Sequence, residues 1–430
     1  MEEKEKKKRT LKIKKAPDTK KVSDDSEIKE VIVEKKVGFN YLEVILIMII
    51  TLIIGGFLGN FITEFSNKDN KNQVSIDSTS ELDAFLDAYN DIKENYYQDI
   101  DEDALVNAGI KGMIDFLGDT YSVYMDEAET DSFNEQVDGS YEGIGTEILG
   151  LEDGSVIIYN LFENSPAANA GLLPGDIIKE VDDEDVTGRT SEEIATRIKK
   201  SANREVVITV LRGEELLQFT IERKTIELES VASTLFESNG KKIGYLTMDI
   251  FAANTYKQFK AKLEELESQN IEGLVIDVRS NSGGYLNSVT DIASLFLSKG
   301  STIYQLDTKG IVEKILDETK EERTYPISVL INSGSASASE ILASALKESY
   351  GASVVGVASF GKGTVQRAYR LESGATVKYT IQKWLTPNGN WINQKGVDPT
   401  SLVELSDEYF NNPINSNDNQ LQEALRIVSE

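Results

Sequence analysis

The 430-residue sequence contains neither histidine nor cysteine. A Ser-His-Asp triad, a cysteine nucleophile, a thiolate metal site and an H-E-x-x-H metal motif are therefore all excluded. If the chain carries out acyl-transfer hydrolysis, its nucleophile has to be Ser or Thr, and its base has to be Lys, a carboxylate or an α-amine. Without cysteine there are no disulfides, so cysteine usage assigns no redox compartment.

The chain is also poor in basic residues, because 45 Lys and Arg stand against 73 Asp and Glu, a formal net charge of −28. Residues 1–40 are the exception, with 13 basic and 9 acidic residues. Everything after them is therefore strongly acidic. Phosphate binding needs concentrated Lys and Arg, so we expect no nucleic-acid partner. The charged segment 1–40 lacks an apolar period and is expected to be a solvated tail.

One long apolar run extends from Leu42 to Ile62, which is about the 20 residues that a helix needs to cross a bilayer. The flank before it is rich in lysine, and the positive-inside rule assigns that side to the cytoplasm. The leader is too long for a cleavable signal peptide. We predict a cytoplasmic basic tail at 1–40, a single-pass cell-membrane anchor at 41–63 and a linker at 64–79, with the remainder outside the cytoplasm.

A strand, a small-residue turn and a helix follow one another around residues 327–347. A hydroxyl at the first position of such a helix stands among unpaired backbone N–H groups at the positive end of the helix dipole. That position suits a nucleophile whose attack creates an oxyanion. Ser337 and Glu340 also have the S-x-x-E spacing of a capping box, which needs no chemistry. From this segment alone, both interpretations remain open.

Lys362 is the candidate base. It precedes an alternating segment that predicts a strand, and in an extended chain Lys362, Thr364 and Gln366 share one face. Burial in an apolar pocket disfavours the charged ammonium, so such a lysine can accept a proton. Gln366 would then hold the amine in place. The alternative is a surface lysine in a hairpin between glycines.

A second strand–turn–helix pattern surrounds Gly283 and Gly284. The turn leaves backbone N–H groups exposed, as an oxyanion hole requires. The signal is weak by itself, because joins of this kind commonly contain glycine.

Residues 131–226 form a small β-rich module. It carries S-P-A-A-N-A-G-L at 165–172, followed by P-G-D-I-I at 174–178. The segment closely resembles a PDZ domain. PDZ domains capture a peptide C-terminus as an added strand, and backbone N–H groups of a glycine-containing loop hold its carboxylate. By this resemblance the loop is Gly143-Ile144-Gly145; the alternative for these glycines is an ordinary turn at the start of a strand.

Further motifs lie along the chain: D-T-Y-S-x-Y at 119–124, D-x-R-x-N-x-G-G at 277–284, G-S-A-S-A-S-E-I at 334–341 and F-G-K-G-x-V-Q at 360–366. Together with the PDZ-like module, they resemble the C-terminal-processing (tail-specific) serine peptidases from about residue 80 to 402. The resemblance implies an α/β fold: a helical part at 80–130, the PDZ domain at 131–226 inserted into an α/β sandwich core at 227–405, and a C-terminal tail or helix at 406–430.

The resemblance also implies the site. In that family a serine and a lysine form a catalytic dyad, and of the three serines at 335, 337 and 339 the middle one matches the nucleophile. The implied residues are Ser337 as nucleophile, Lys362 as general base, Gln366 as the residue that orients the lysine, and the backbone N–H groups of Ala338 and of Gly283 or Gly284 as oxyanion donors. Ser282 stands where proline is common in the family, which could alter the oxyanion turn.

We therefore predict a membrane-anchored extracytoplasmic serine endopeptidase that cleaves proteins near their C-termini. Its PDZ domain would recognise the substrate tail and gate access, and no metal or cofactor is expected. The alternative is a membrane-anchored PDZ adaptor with an inactive peptidase core. A homo-oligomer is left open, because the helix-like segment 418–428 could pack between subunits or form a loose cap.

Overall fold

The computed structural model describes residues 81–430 of the chain. The predicted tail, membrane anchor and linker lie outside the described residues, so those assignments stay predictions. Within residues 81–430, none of the helices combines the length and apolarity that crossing a bilayer requires. The chain divides into two units, residues 1–100 and residues 101–430. Of the first unit, the described part contains one helix, α1 (Glu81–Asn95).

The helices of the second unit begin mostly at residues whose side chains accept a hydrogen bond from the first turn. Asp126 and Thr190, for example, each form a capping box with a glutamate three residues later. A short π-helix (Leu346–Tyr350) follows the seventh of them. In chain order the helices are α2 (Glu102–Phe116), α3 (Glu127–Asp138), α4 (Pro166–Ala170), α5 (Ser191–Lys199), α6 (Thr255–Ser268), α7 (Leu286–Ala293), α8 (Ala338–Ala345), α9 (Asp407–Asn411) and α10 (Asn419–Ser429).

The strands of the second unit form four sheets. In chain order they are β1 (Val123–Met125), β2 (Ser140–Gly143), β3 (Thr146–Gly150), β4 (Val156–Leu161), β5 (Ile177–Val181), β6 (Glu184–Asp185), β7 (Glu205–Arg212), β8 (Glu215–Glu222), β9 (Lys224–Glu227), β10 (Val231–Ser238), β11 (Lys241–Met248), β12 (Gly273–Asp277), β13 (Thr302–Thr308), β14 (Ile311–Leu316), β15 (Ile327–Ile331), β16 (Ser353–Gly356), β17 (Thr364–Arg370), β18 (Thr376–Leu385) and β19 (Ser401–Leu402).

The central sheet has the order β10-β11-β12-β15-β16-β19, and all its pairs except β10–β11 are parallel. Strands β12 and β15 are buried along their whole length, as expected for parallel strands that are covered on both faces. Helices α6, α7 and α8 supply Phe259, Ile292 and Ile341 to the hydrophobic core on one face. The resulting fold is mixed α/β.

Helix α10 covers the opposite face of the central sheet. Its Leu421 and Leu425 pack in the same buried cluster as Val275 and Leu330. Just before the helix, Asp418 forms an ion pair with Arg279 at 2.8 Å. Arg279 also forms an ion pair with Asp277 at 2.6 Å. The C-terminal helix is therefore part of its own chain's core and not a loose cap.

A second sheet has the order β1-β18-β13-β14, with β17 paired to β18. It joins β1, from early in the unit, to the β17–β18 hairpin, which begins two residues after Lys362. The PDZ-like sheet has the order β3-β4-β5-β7-β8, and its core contains Ile158, Ile194 and Val206. A two-stranded ribbon of β2 and β9 carries the chain into and out of this module.

Candidate active site

The three serines of the S-A-S-A-S segment occupy different environments. Ser335 Oγ donates a hydrogen bond to the carbonyl of Val278 at 2.7 Å, and Ser339 Oγ donates to that of Asn281 at 2.8 Å. Both residues are fully buried. Ser337, in contrast, lines a cavity of about 550 Å³. Of the three hydroxyls, that of Ser337 is therefore the one placed to meet a substrate.

Ser337 lies at the start of α8 in an unusual backbone conformation, with φ +55° and ψ −112°. A non-glycine residue with positive φ stores strain, of order 1–3 kcal/mol, and such residues cluster at functional sites. The Ser337 N–H donates to Glu340 Oε2 at 2.8 Å, which is the glutamate half of the predicted capping box. The turn thus presents the serine at a helix N-terminus, with the N–H of Ala338 directly after it.

Glu340 has a second role that the sequence did not suggest. Its Oε2 also accepts the N–H of Lys362 at 2.9 Å, while Oε1 accepts the N–H of Gly361 at 2.7 Å and the hydroxyl of Ser359 at 2.6 Å. The residue is fully buried. One carboxylate oxygen therefore accepts hydrogen bonds from the backbone N–H groups of both Ser337 and Lys362. It links the turn that carries the serine to the loop between β16 and β17 that carries Lys362, here called the lysine loop.

The lysine loop is also held by the only two tryptophans of the chain. Trp384 Nε1 donates to the carbonyl of Lys362 at 2.7 Å, and Trp391 Nε1 donates to that of Gly363 at 2.9 Å. The Lys362 ammonium lies 5.1 Å from the ring centroid of Tyr121. The loop that carries the candidate base is thus anchored on both sides of the lysine.

Burial is the largest cause of a lowered pKa at Lys362, and the positive charge of Lys378 lowers this pKa further. The carboxylates of Glu340 and Asp119 act in the opposite direction without reversing the shift. A lowered pKa favours the neutral amine, which is the form that can accept a proton.

Gln366 lies in the same cavity as Ser337 and Lys362. Its Nε2 donates to Thr364 Oγ1 at 2.9 Å and to Thr380 Oγ1 at 3.1 Å. Within residues 81–430 no hydrogen bond joins Gln366 to Lys362, so the predicted orienting role stays a prediction. Thr380 Oγ1 in turn donates to Asp119 Oδ2 at 2.6 Å.

Asp119 and Tyr121 belong to the D-T-Y-S motif, to which the sequence assigned no role. Burial acts to raise the pKa of Asp119, but hydrogen bonds from Ser122 and Thr380 outweigh it and hold the pKa below its usual value. The motif therefore places a charged carboxylate at one end of a polar chain that leads to Gln366, and an aromatic ring beside the Lys362 ammonium.

The glycine turn approaches the nucleophile closely. A Cβ at Gly283, where φ is +106°, would lie 2.8 Å from Ser337 Cβ and 3.0 Å from the nitrogen of Ala338. The Gly283 N–H donates to Asn281 Oδ1 at 2.9 Å. Because that N–H is engaged, Gly284 is the better candidate to act with Ala338 as an oxyanion donor.

The predicted peptide-binding loop, Gly143-Ile144-Gly145, lines a narrow groove between β3 and α5. Strand β3 is an edge strand of its sheet, so a peptide can pair with it by strand addition. Lys199, at the same groove, forms an ion pair with Glu135 of α3. Helix α3 also contributes Phe133 to the catalytic cavity, so it contacts both sites.

Residues 242–403 match the family described as Peptidase family S41, residues 142–222 match the PDZ domain, and residues 57–130 match the Activating protease CtpB N-terminal domain. Along the chain, the match to the CtpB N-terminal domain precedes the PDZ match, and the match to Peptidase family S41 follows it.

Two curated proteins of Bacillus subtilis (strain 168) are similar over most of their length. The carboxy-terminal processing protease CtpB is 40% identical over 349 residues, which is 80% of this chain and 72% of that protein. The carboxy-terminal processing protease CtpA is 37% identical over 368 residues, which is 85% of this chain and 78% of that protein. A solved structure, of a photosystem II D1 C-terminal processing protease, covers 82% of this chain and 98% of that chain at 23% identity and a TM-score of 0.46.

Proposed function

The chain belongs to the carboxy-terminal processing proteases of peptidase family S41 and is a serine endopeptidase with a PDZ domain, and we propose that Ser337 and Lys362 form its catalytic dyad. One observation carries this proposal: of the three neighbouring serines, only Ser337 lines the cavity that Lys362 also lines, whereas Ser335 and Ser339 donate to backbone carbonyls. The lowered pKa of Lys362 supports it.

In the proposed mechanism, the neutral amine of Lys362 takes the proton of the Ser337 hydroxyl as Oγ attacks the carbonyl carbon of a peptide bond. The N–H groups of Ala338 and Gly284 stabilise the oxyanion of the tetrahedral intermediate. The Lys362 ammonium then gives its proton to the leaving amine, and the C-terminal fragment departs. Water attacks the acyl-enzyme and gives a proton to Lys362. As the N-terminal fragment leaves with its new carboxyl group, Lys362 returns that proton to Ser337 Oγ, which restores the hydroxyl and the neutral amine.

The substrate would be a protein bound through its C-terminal tail. The tail pairs with the edge strand β3, and its carboxylate meets the backbone N–H groups of Gly143-Ile144-Gly145. Helix α3 supports a gating role for the PDZ domain, because Glu135 contacts the groove residue Lys199 while Phe133 lines the catalytic cavity. A tail that displaces the Lys199–Glu135 pair would therefore act on the helix that borders the cavity.

The proposal includes a single-pass membrane anchor at residues 41–63, with the N-terminus in the cytoplasm and the catalytic part outside. It rests on the apolar run and on the lysine-rich flank before it. A reporter that functions only outside the cytoplasm, fused after Glu430, tests this arrangement. Activity of the reporter is expected, and activity of a cytoplasm-only reporter at the same position would refute it.

The dyad is tested by incubating the full-length protein with unstructured proteins that end in apolar residues, followed by mapping of the cleavage sites by mass spectrometry. The variants are Ser337→Ala and the matched controls Ser335→Ala and Ser339→Ala. Loss of cleavage in Ser337→Ala, with cleavage retained in at least one control, is expected. Equal activity in Ser337→Ala would end the assignment. A wild-type protein that binds tails but never cleaves them would favour the adaptor.

A further inference from the structure

The catalytic cavity contains a second lysine, Lys378, that the mechanism does not use. It lies on β18, directly opposite Ala368 of β17. Both of these residues line the cavity with Lys362. The Lys378 ammonium lies 4.9 Å from the ring centroid of Phe133 on α3. Strands β17 and β18 therefore present a second amine to the cavity that also contains the base.

Neither lysine of the cavity has a carboxylate within 4.0 Å among residues 81–430. The acidic groups that act on Lys362 are Glu340 and Asp119. Glu340 already accepts four hydrogen bonds, and Asp119 accepts hydrogen bonds from Ser122, Thr380 and the N–H of Tyr121. Both carboxylates are thus engaged by neutral donors elsewhere.

We propose that Lys378 tunes the catalytic base: its positive charge, held in the shared cavity, favours the neutral amine of Lys362. This inference rests on the proposed dyad. Both lysine side chains line one cavity of about 550 Å³, and charges that are partly buried are screened by salt much less than exposed ones. Two like charges that line the cavity therefore repel each other without full screening, and the repulsion is relieved when one of them loses its proton.

The surroundings favour Lys362 as the amine that loses the proton. Burial lowers the pKa of both lysines, and Lys362 is the more deeply buried of the two. The carboxylates of Glu340 and Asp119 act in the opposite direction on the pKa of Lys362 without reversing its shift. The groups that face Lys362 are the ring of Tyr121, the carboxylates of Asp119 and Glu340, and the Lys378 ammonium. In the described part of the chain, Lys378 is the one cation among them. A cation beside a lysine is an established way of making the lysine a better nucleophile or base.

The test measures how fast an uncharged fluorophosphonate labels Ser337 in the full-length protein from acid to alkaline pH. Labelling by such a probe depends on deprotonation of the serine and needs no bound peptide. The variants are Lys378→Met, which removes the charge, and Lys378→Arg, which keeps it. Lys383→Met is the matched control, since Lys383 lies on the same strand with its ammonium 4.5 Å from the Trp391 ring but does not line the cavity.

In Lys378→Met, the acid limb of the labelling profile is expected to move to higher pH. Labelling at neutral pH then falls on the order of tenfold, the size of effect expected for one removed charge, while the alkaline plateau is kept. Lys378→Arg and Lys383→Met are expected to follow the wild type. The inference is overturned if the labelling profile of Lys378→Met coincides with that of the wild type. It is also overturned if the labelling rate of Lys378→Met is lower than that of the wild type by the same factor at every pH. Failure of the wild type itself to label at Ser337 would instead overturn the dyad, and the tuning with it.

Discussion

Replacement of Glu340 by glutamine tests whether one carboxylate couples the two halves of the site. Glu340 Oε2 accepts the backbone N–H groups of Ser337 and Lys362, and Oε1 accepts the backbone N–H of Gly361 and the hydroxyl of Ser359. Glutamine keeps the shape of the side chain but turns one of the two acceptor oxygens into a donor. Whichever way the amide is turned, at least one backbone N–H loses its partner.

The less costly orientation in Glu340→Gln directs the new amide nitrogen at Ser359, whose hydroxyl can rotate and accept. The N–H of Gly361 then has no acceptor, and the bonds to Ser337 and Lys362 lose their charge assistance. A hydrogen bond to a charged group contributes about 1.5–3 kcal/mol, so the free energy of unfolding should fall by at least that amount. A displacement of the dyad by about 1 Å costs on the order of a hundredfold in rate, and we expect kcat to fall between tenfold and that limit.

The assay combines steady-state cleavage of a tail-bearing protein with urea unfolding, and Glu267→Gln is the matched control. Glu267 accepts hydrogen bonds from Arg323 and Tyr325 outside the catalytic cavity. Its replacement should lower stability without changing kcat. If Glu340→Gln loses stability while kcat stays at the wild-type value, the carboxylate is only a helix cap and does not couple the two halves of the site.

Three further predictions concern single features of the site. In Gly283→Ala the new Cβ would lie 2.8 Å from Ser337 Cβ at a φ of +106°, so turnover should be abolished, whereas Gly300→Ala, at a φ of +88° in open space, should lose only about 1 kcal/mol of stability. Trp384→Phe removes the donor to the Lys362 carbonyl, so kcat should fall about tenfold with KM unchanged. Because the pKa of Lys362 is lowered from 10.5 and the neutral amine is the active form, kcat/KM should rise with pH and reach half its maximum below that value.

Each of these predictions has a contrary outcome. Wild-type turnover in Gly283→Ala would mean that the glycine turn lies farther from the nucleophile than described. A change in KM alone in Trp384→Phe would assign the tryptophan to substrate binding. A kcat/KM that declines as the pH rises towards 10.5 would mean that a protonated group, and not the neutral amine of Lys362, limits the reaction.

Local patterns predicted much of the fold. The strand and the helix expected around residues 327–347 are present as β15 (Ile327–Ile331) and α8 (Ala338–Ala345), and the strand expected after Lys362 is β17 (Thr364–Arg370). Each of these segments has the apolar pattern of its element. The helix expected after Gly283 and Gly284 is α7, which ends at Ala293 and is followed by turns. Leu295, Phe296 and Leu297 continue the apolar pattern because they are buried in the core in a non-helical conformation.

The supports of the candidate site could not be predicted in the same way. Glu340 binds Lys362 across 22 residues, Trp384 binds the same lysine from the other side, and Asp119 meets Thr380 across 261 residues. Such contacts exist only once the sheets bring distant segments together, and no local period marks them. The S-x-x-E spacing correctly indicated a glutamate that caps α8, but nothing near it in the sequence indicated its second partner.

The dyad is tested most directly by reaction of the full-length protein with a fluorophosphonate, followed by peptide mapping of the adduct in the wild type and in Lys362→Met. We predict a single adduct on Ser337, formed at neutral pH at least about a hundredfold more slowly in Lys362→Met, the effect expected when a general base is removed. An adduct on Ser335 or Ser339, or labelling of Ser337 at the same rate without Lys362, would contradict the account.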